Sequence, residues 1–292
     1  QEKGKLLMGG VFYENRENNL SPETCRRLYG TRLKSSVSRL EKYRQCPFSH
    51  FISYGLRLKE RPIYRLDHSD TGRFFHAALY KVGKSLEEKG LEWKDLSPQE
   101  TGILVEEEVN KLIPLLQKEI LLSSSRYRFL GRKLKSTVEQ AALILREQSL
   151  VSSFKPVGLE VAFGGEEDLP GLTFKLANGY RVELKGRIDR IDGARGEDGK
   201  YYLRVVDYKS GASDVNLAAV YYGLSLQLLV YLDVALTYAR EWLKEEAFPA
   251  GILYFRIHSD LLREENPLTP QEAEVKLRSK YKMKGRVLGN LE

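Results

Sequence analysis

The stretch VVDYKSG, residues 205–211, ends an apolar run on an aspartate and a lysine two positions apart. In an extended strand such residues share a face, so Asp207 and Lys209 project together, opposite Val206 and Tyr208. Upstream, GRIDRID places Asp189 and Asp192 on a second extended segment, and the intervening GARGEDGK reads as a turn that makes the two segments hairpin partners. Pairing about that turn brings Asp189 towards Asp207. Two carboxylates held together repel unless a cation lies between them, and oxygen ligands of this kind suit Mg²⁺ or Mn²⁺. A divalent ion there polarises a phosphoryl oxygen and lowers the pKa of bound water, while a lysine beside it orients that water or offsets charge developing on phosphorus. The chemistry on offer is phosphodiester hydrolysis.

Taken alone, an Asp-x-Lys strand is common and more readily describes a hairpin with exposed acids and a salt bridge from Asp207 to Lys209 or Arg187. Further residues add weight. PVGLEVAF sets Glu160 inside an apolar strand, where an unpaired carboxylate is costly. GRFFHAAL sets His76 on a helix beside two phenylalanines and after Gly72, and QLLVY sets Gln227 and Tyr231 one helical turn apart on an otherwise apolar helix. Singly, each also reads as a solvated edge acid, a hydrogen-bonded core histidine or an ordinary amphipathic face.

The elements that must position these residues follow from periodicity and turn chemistry. The first thirty or so residues, with ENRENNLSPE, read as a polar, loop-like lead-in from a preceding domain, and organised structure is expected from Ser36. SVSRLEKYRQCPFSHFISYGL carries Leu40, Tyr43, Phe48, Phe51 and Ile52 at helical spacing, with a break or kink at Pro47. A second helix is expected from Asp70, capped by Ser69 or Asp70 and stopped by Gly90. A third opens on the capping box of SPQE, and a fourth covers about Ser125 to Val151. After SSFKPVG the chain turns β-rich through LEVAF, LTFKLA, YRVELKGRIDRID and YYLRVVDYKS. A long apolar helix, YYGLSLQLLVYLDVALTYAREWL, precedes a last strand, AGILYFRIHS, and a charged helical segment. This order predicts an α/β core with an amino-terminal helical cap. The expected division is a lead-in over 1–35, a helical region carrying Cys46 and His76 over 36–153, and a core over 154–292 that is cut short at its carboxyl end.

Composition sets the class. Of 292 residues 42% are hydrophobic, enough for a sizeable core, yet no apolar run approaches the roughly 20 residues of a membrane helix. The first residues lack a signal-peptide pattern. A net charge of +7 favours an anionic partner, nucleic acid above all. SRYRFLGRKLK groups Arg126, Arg128, Arg132, Lys133 and Lys135 around Tyr127 and Phe129, a pattern that suits phosphates and stacked single-stranded bases but equally fits a solvated helix face with core aromatics. KLRSKYKMKGR, Lys276 to Arg286, reads either as a DNA-facing segment or as an unsupported end. Cys25 and Cys46 form no CxxC pair, so a reducing, cytoplasmic setting is expected.

In their order along the chain, GRFFH, GLEVAF, GRIDRID, VVDYKSG and QLLVY resemble the RecB-type branch of the PD-(D/E)XK nucleases, covering residues 72–231 with no element missing. SVSRLEKYRQCPFSHFISYGLRLKER and DHSDTGRFFHAAL extend that resemblance, over about residues 36–290, to the carboxy-terminal nuclease domain of AddB-type helicase-nuclease subunits. The resemblance implies a restriction-endonuclease-like core sheet flanked by helices. It implies an Mg²⁺-dependent deoxyribonuclease, with Mn²⁺ as the alternative ion, acting as an exonuclease on single-stranded DNA. Its setting would be double-strand break repair and recombination, with an AddA subunit as heterodimer partner. Carried onto this chain, it implies His76, Asp189 and Asp207 as metal ligands and Lys209 as the catalytic lysine. Glu160 becomes an acidic neighbour of the metal, and Gln227 with Tyr231 position DNA or the lysine. The family also holds a 4Fe-4S cluster on four cysteines, of which Cys46 matches the first; the other three have no counterpart here, so no cluster is expected on this chain. Helicase motifs are absent, and ATP turnover is not expected. The competing reading is a noncatalytic DNA-binding or scaffolding module that retains the fold, against which the intact Asp189, Asp207 and Lys209 set argues.

Overall fold

The computed structural model describes residues 2–12, 19–61, 65–116, 120–165, 169–211, 213–257 and 268–289. Its amino-terminal half holds helices α1 (Glu2–Val11) and α2 (Pro22–Tyr29), strand β1 (Arg32–Ser36), and helices α3 (Val37–Gln45), α4 (Pro47–His50), α5 (His68–Glu88), α6 (Pro98–Leu112) and α7 (Ser125–Leu150). Strands β2 (Lys155–Phe163), β3 (Thr173–Lys175), β4 (Arg181–Arg195) and β5 (Tyr201–Lys209) follow. Then come helices α8 (Leu217–Tyr221), α9 (Gln227–Thr237) and α10 (Ala239–Trp242), strand β6 (Ala247–Arg256), helix α11 (Pro270–Lys280) and strand β7 (Lys284–Val287).

Among the described residues the strands form one seven-stranded mixed sheet whose main path runs β1-β4-β5-β6-β7. The long strand β4 organises it. Its first half pairs with β1 in parallel and β3 in antiparallel, and its second half takes β2 and β5, both antiparallel. β5 then pairs β6 in parallel, the connection carried by α8 to α10, and β7 closes antiparallel on β6.

Helices cover both faces. On one, α5, α6 and α7 bury Phe74, Leu79, Val82, Val105, Val138 and Leu145 against Val206 and Tyr208 of β5 and Leu253 and Phe255 of β6. Residues of the 36–153 and 154–292 stretches therefore share one core. On the other face, Leu228, Tyr231, Val234 and Ala235 of α9 pack with Val205, Ile188, Ile191 and Ile252. Double burial explains why β5 and β6 read as near-continuous apolar runs. Each of these large side chains, fully buried, contributes about 1.5–3 kcal/mol of hydrophobic transfer energy.

Several local expectations meet the structure closely. Pro47 separates α3 from α4, with Cys46 Sγ accepting the Ser49 N–H at 3.4 Å. Ser97 and Glu100 cap α6 reciprocally, and α7 ends one residue before the expected Val151. Others shift for identifiable reasons. The cap of α5 is Asp67, because Asp70 stands three residues on and accepts the Asp67 N–H while Asp67 accepts that of Asp70. The long apolar helix is broken: Gly223, at φ +73°, ends α8, and α9 starts afresh at Gln227. The lead-in is not all loop, since Ser21 caps α2 with Pro22 at its first position, a start signal that the polar composition had masked. β1 and β7 are short strands without alternating apolar residues, and so carried no strand signal.

Candidate functional site

The register of β2 on β4 pairs Leu159 with Arg190 and Val161 with Ile188, which sets Glu160 opposite Asp189. Both residues lie within their strands, but at an irregular point of the sheet. Glu160 has φ +50°, a backbone region that side chains other than glycine rarely adopt, and the β4–β5 ladder stops at Arg190 and Val206, where Asp189 and Asp207 would be the next pair. There the Asp189 carboxylate replaces a ladder bond: its Oδ2 accepts the Tyr208 N–H at 2.8 Å. Backbone strain in Glu160 and a side-chain substitution in the ladder thus turn two neighbouring carboxylates to one place.

His76 comes to that place from α5. Its Nδ1 lies 3.2 Å from Asp189 Oδ1 and 3.9 Å from Glu160 Oε1, and its ring packs edge-on against Tyr208. One donor atom from each of His76, Glu160 and Asp189 falls within 4.8 Å of the others. Arg187 Nη1 stands 3.7 Å from Glu160 Oε2.

Asp207, almost fully buried, is held differently. Its Oδ1 accepts from Gln227 Nε2 at 2.9 Å, and its Oδ2 lies 2.6 Å from the Lys209 ammonium, off the hydrogen-bonding direction. Lys209 Nζ donates to Gln227 Oε1 at 3.1 Å, and Gln227 Nε2 also reaches the Tyr231 hydroxyl at 3.0 Å. One glutamine at the start of α9 therefore clamps both ends of the Asp-x-Lys pair. The structure brings His76, Glu160 and Asp189 into one trio and Asp207, Lys209, Gln227 and Tyr231 into an adjoining hydrogen-bonded group.

Charge crowding shows in the acid–base balance. Burial, then the charge of Asp189, pushes Asp207 up to about 6, with Lys209 opposing. Glu160 is raised for the same two reasons. Burial works to lower His76, but its hydrogen bond to Asp189 and the surrounding carboxylates prevail and raise it. Burial pushes the Tyr231 hydroxyl up to about 12. Carboxylates that resist ionisation and an imidazole drawn towards its protonated form, with Lys209 as the one cation paired to Asp207 among the described residues, describe a place crowded with negative charge. The donor set of imidazole and carboxylate oxygen fits a divalent metal ion. An iron–sulfur cluster does not fit: Cys25 and Cys46 are the only cysteines, two thiolates against the four required.

A supporting layer went unread in the sequence. Asp192, fully buried, accepts from Arg190 at 2.5 and 3.1 Å and from Arg204 at 2.9 Å. This network lies directly behind Asp189, whose carboxylate holds the Tyr208 N–H. In the basic stretch of α7, Arg126, Arg128, Arg132 and Lys133 are exposed and Lys135 pairs with Glu106. Its two aromatics divide, Tyr127 packing into the core and Phe129 remaining exposed. In the Lys276–Arg286 stretch, Tyr281 is buried with its hydroxyl donating to Gln140, and Arg278 pairs with Glu147.

Residues 34–286 match the PD-(D/E)XK nuclease superfamily. Over its whole length the chain is 46% identical to an ATP-dependent helicase/deoxyribonuclease subunit of Bacillus pumilus (strain SAFR-032). Over 99% of its length it is 47% identical to the protein of the same name from Pelotomaculum thermopropionicum and 45% identical to that from Bacillus subtilis (strain 168). It spans 25% of the length of each of these relatives. Among the described residues no helix is long and apolar enough to cross a membrane.

Proposed function

The chain belongs to the PD-(D/E)XK nuclease superfamily, and on that footing we propose that it is a metal-dependent deoxyribonuclease domain that trims single-stranded DNA from an end. The observation that carries this is the convergence of the His76, Glu160 and Asp189 trio with an Asp207–Lys209 pair clamped by Gln227. His76, Glu160 and Asp189 offer donor atoms that would hold the metal, and Asp207, set against Gln227 and Lys209, would join them as a further ligand. Mg²⁺ or Mn²⁺ in that place supplies Lewis acidity towards a phosphoryl oxygen and a more acidic water. Lys209 is the catalytic residue: its ammonium, fixed by Gln227, donates to oxygen on phosphorus as negative charge develops. Gln227 and Tyr231 keep that ammonium aimed, and the exposed arginines at the start of α7 hold phosphates of the incoming strand.

The names of the relatives support a setting in a helicase-nuclease. In it this chain is the carboxy-terminal nuclease domain of an AddB-type subunit, paired with an AddA subunit in cytoplasmic double-strand break repair and recombination. In the intact protein the exposed Cys46 is one thiolate of a 4Fe-4S cluster whose other cysteines lie outside this chain.

The test is cleavage of an end-labelled single-stranded oligonucleotide in Mg²⁺, in EDTA, and by Lys209→Ala. Cleavage is expected to vanish in EDTA and to fall by about 10²–10³-fold in Lys209→Ala. Undiminished cleavage by Lys209→Ala would overturn the assignment. Metal binding without any cleavage would favour the noncatalytic DNA-binding module.

A further inference from the structure

We propose that Glu41 is a positioning residue for Asp207 and Lys209, acting at a distance by capping α9 and so fixing Gln227. The consequence for catalysis rests on the nuclease reading; the geometry does not.

A helix start leaves its first N–H groups without intrahelical partners, and a Ser, Thr, Asp or Asn at the cap usually accepts one of them. At α9 the cap residue is Leu226, which has no side-chain acceptor. The acceptor comes instead from α3, 185 residues away: Glu41 Oε1 takes the Leu226 N–H at 2.6 Å and the Gln227 N–H at 3.1 Å. A carboxylate suits the positive end of a helix dipole. α3 grips the same connection a second time, Arg44 Nε donating to Tyr222 O at 3.1 Å.

What lies beyond the cap gives it a role. Gln227 is the first residue of α9, so Glu41 holds its backbone while its side chain holds Asp207, Lys209 and Tyr231. Its carbonyl and amide groups are committed, and the Gln227 side chain cannot follow a shift of its own backbone without releasing one of those partners. Misplacement of a catalytic group by about 1 Å costs on the order of 10²-fold in rate. A cap that served only the helix would affect unfolding and leave turnover alone.

Glu41→Ala and Glu41→Gln separate these cases when made in the intact protein. The glutamine keeps an acceptor oxygen where Glu41 Oε1 stands, whereas alanine removes it. Glu41→Ala is expected to lower kcat by about 10–100-fold with KM for single-stranded DNA changed less than about twofold, and Glu41→Gln to keep most of the activity. Because the influence runs through Gln227, the Glu41→Ala, Gln227→Ala double variant should be no slower than Gln227→Ala alone. Amide hydrogen exchange at Leu226 and Gln227 should quicken by about tenfold or more in Glu41→Ala and much less in Glu41→Gln. A wild-type kcat in Glu41→Ala, or rate losses that multiply in the double variant, would overturn the proposal. If the wild-type protein cuts no DNA the nuclease reading falls by itself. Exchange then still decides the cap, and unchanged protection at Leu226 and Gln227 in Glu41→Ala would refute it.

Discussion

Asp192 takes no part in the proposed reaction, yet its loss is expected to cost more stability than that of the site residues in front of it. Its carboxylate is fully buried and faces two guanidinium groups, Arg190, itself only 4% exposed, and the less buried Arg204. Burial alone would lower the Arg190 pKa, but the adjacent Asp192 charge prevails and raises it, so the cation persists inside. One of its nitrogens, Nη1, is already buried without a hydrogen bond. In Asp192→Leu the cavity stays filled but Arg190 becomes an uncompensated buried charge. Breaking a buried pair in this way costs about 3–5 kcal/mol, against a total of about 5–15 kcal/mol for an ordinary domain. Arg204 adds little to that figure because it reaches solvent and keeps its stacking on Phe154. Removing both partners is a different experiment: Arg190→Met with Asp192→Leu leaves no buried charge, and the double variant should recover most of the loss. Urea unfolding with a constant m-value measures all three proteins. A loss below about 1 kcal/mol in Asp192→Leu, or a double variant no more stable than the single one, would refute the claim that this network supports the site as a paired charge.

Glu160→Gly should remove the strain of a side chain at φ +50° and the repulsion from Asp189, raising stability by about 1 kcal/mol while abolishing metal-dependent cleavage; urea unfolding and the oligonucleotide assay report the two effects separately. For His50, burial, then Arg39 and Lys42, holds the imidazole below its ordinary 6.5, so the unfolded chain takes up the proton more readily than the folded one. Stability is then full above about pH 6.5 and declines as the pH falls below it, and His50→Phe should flatten that slope in unfolding measured between about pH 7 and pH 5. Replacing Arg126, Arg128 and Arg132 with serine should weaken single-stranded DNA binding and flatten its dependence on salt. At about 0.7 per phosphate contact, three lost contacts reduce the log–log slope by about 2, and an unchanged slope would remove this helix from the DNA path.

How much of this was legible follows from how far each signal reaches along the chain. Asp207 with Lys209, and Gln227 with Tyr231, are neighbours by the local period of a strand or a helix, and the turn after GRIDRID joins β4 to β5, so spacing alone aligned them. Spacing could not say which way a buried carboxylate turns. That is decided by Gln227, which draws Asp207 towards Lys209 and leaves Glu160 and Asp189 to meet His76. β1 was invisible because it is held only by pairing with β4, some 150 residues later, and Leu33 is the one apolar residue among its five. Glu41, one of several charges on α3, carries no signal of its own in the sequence. Yet the start of α9 held a readable deficit. LSLQLLVY opens an apolar helix with no capping residue immediately before Gln227. Orphan N–H groups at a half-buried helix start call for an acceptor. A missing local cap is therefore evidence for a remote acceptor, and where the first residue of that helix also aims a catalytic lysine, the acceptor belongs among the residues that shape the site.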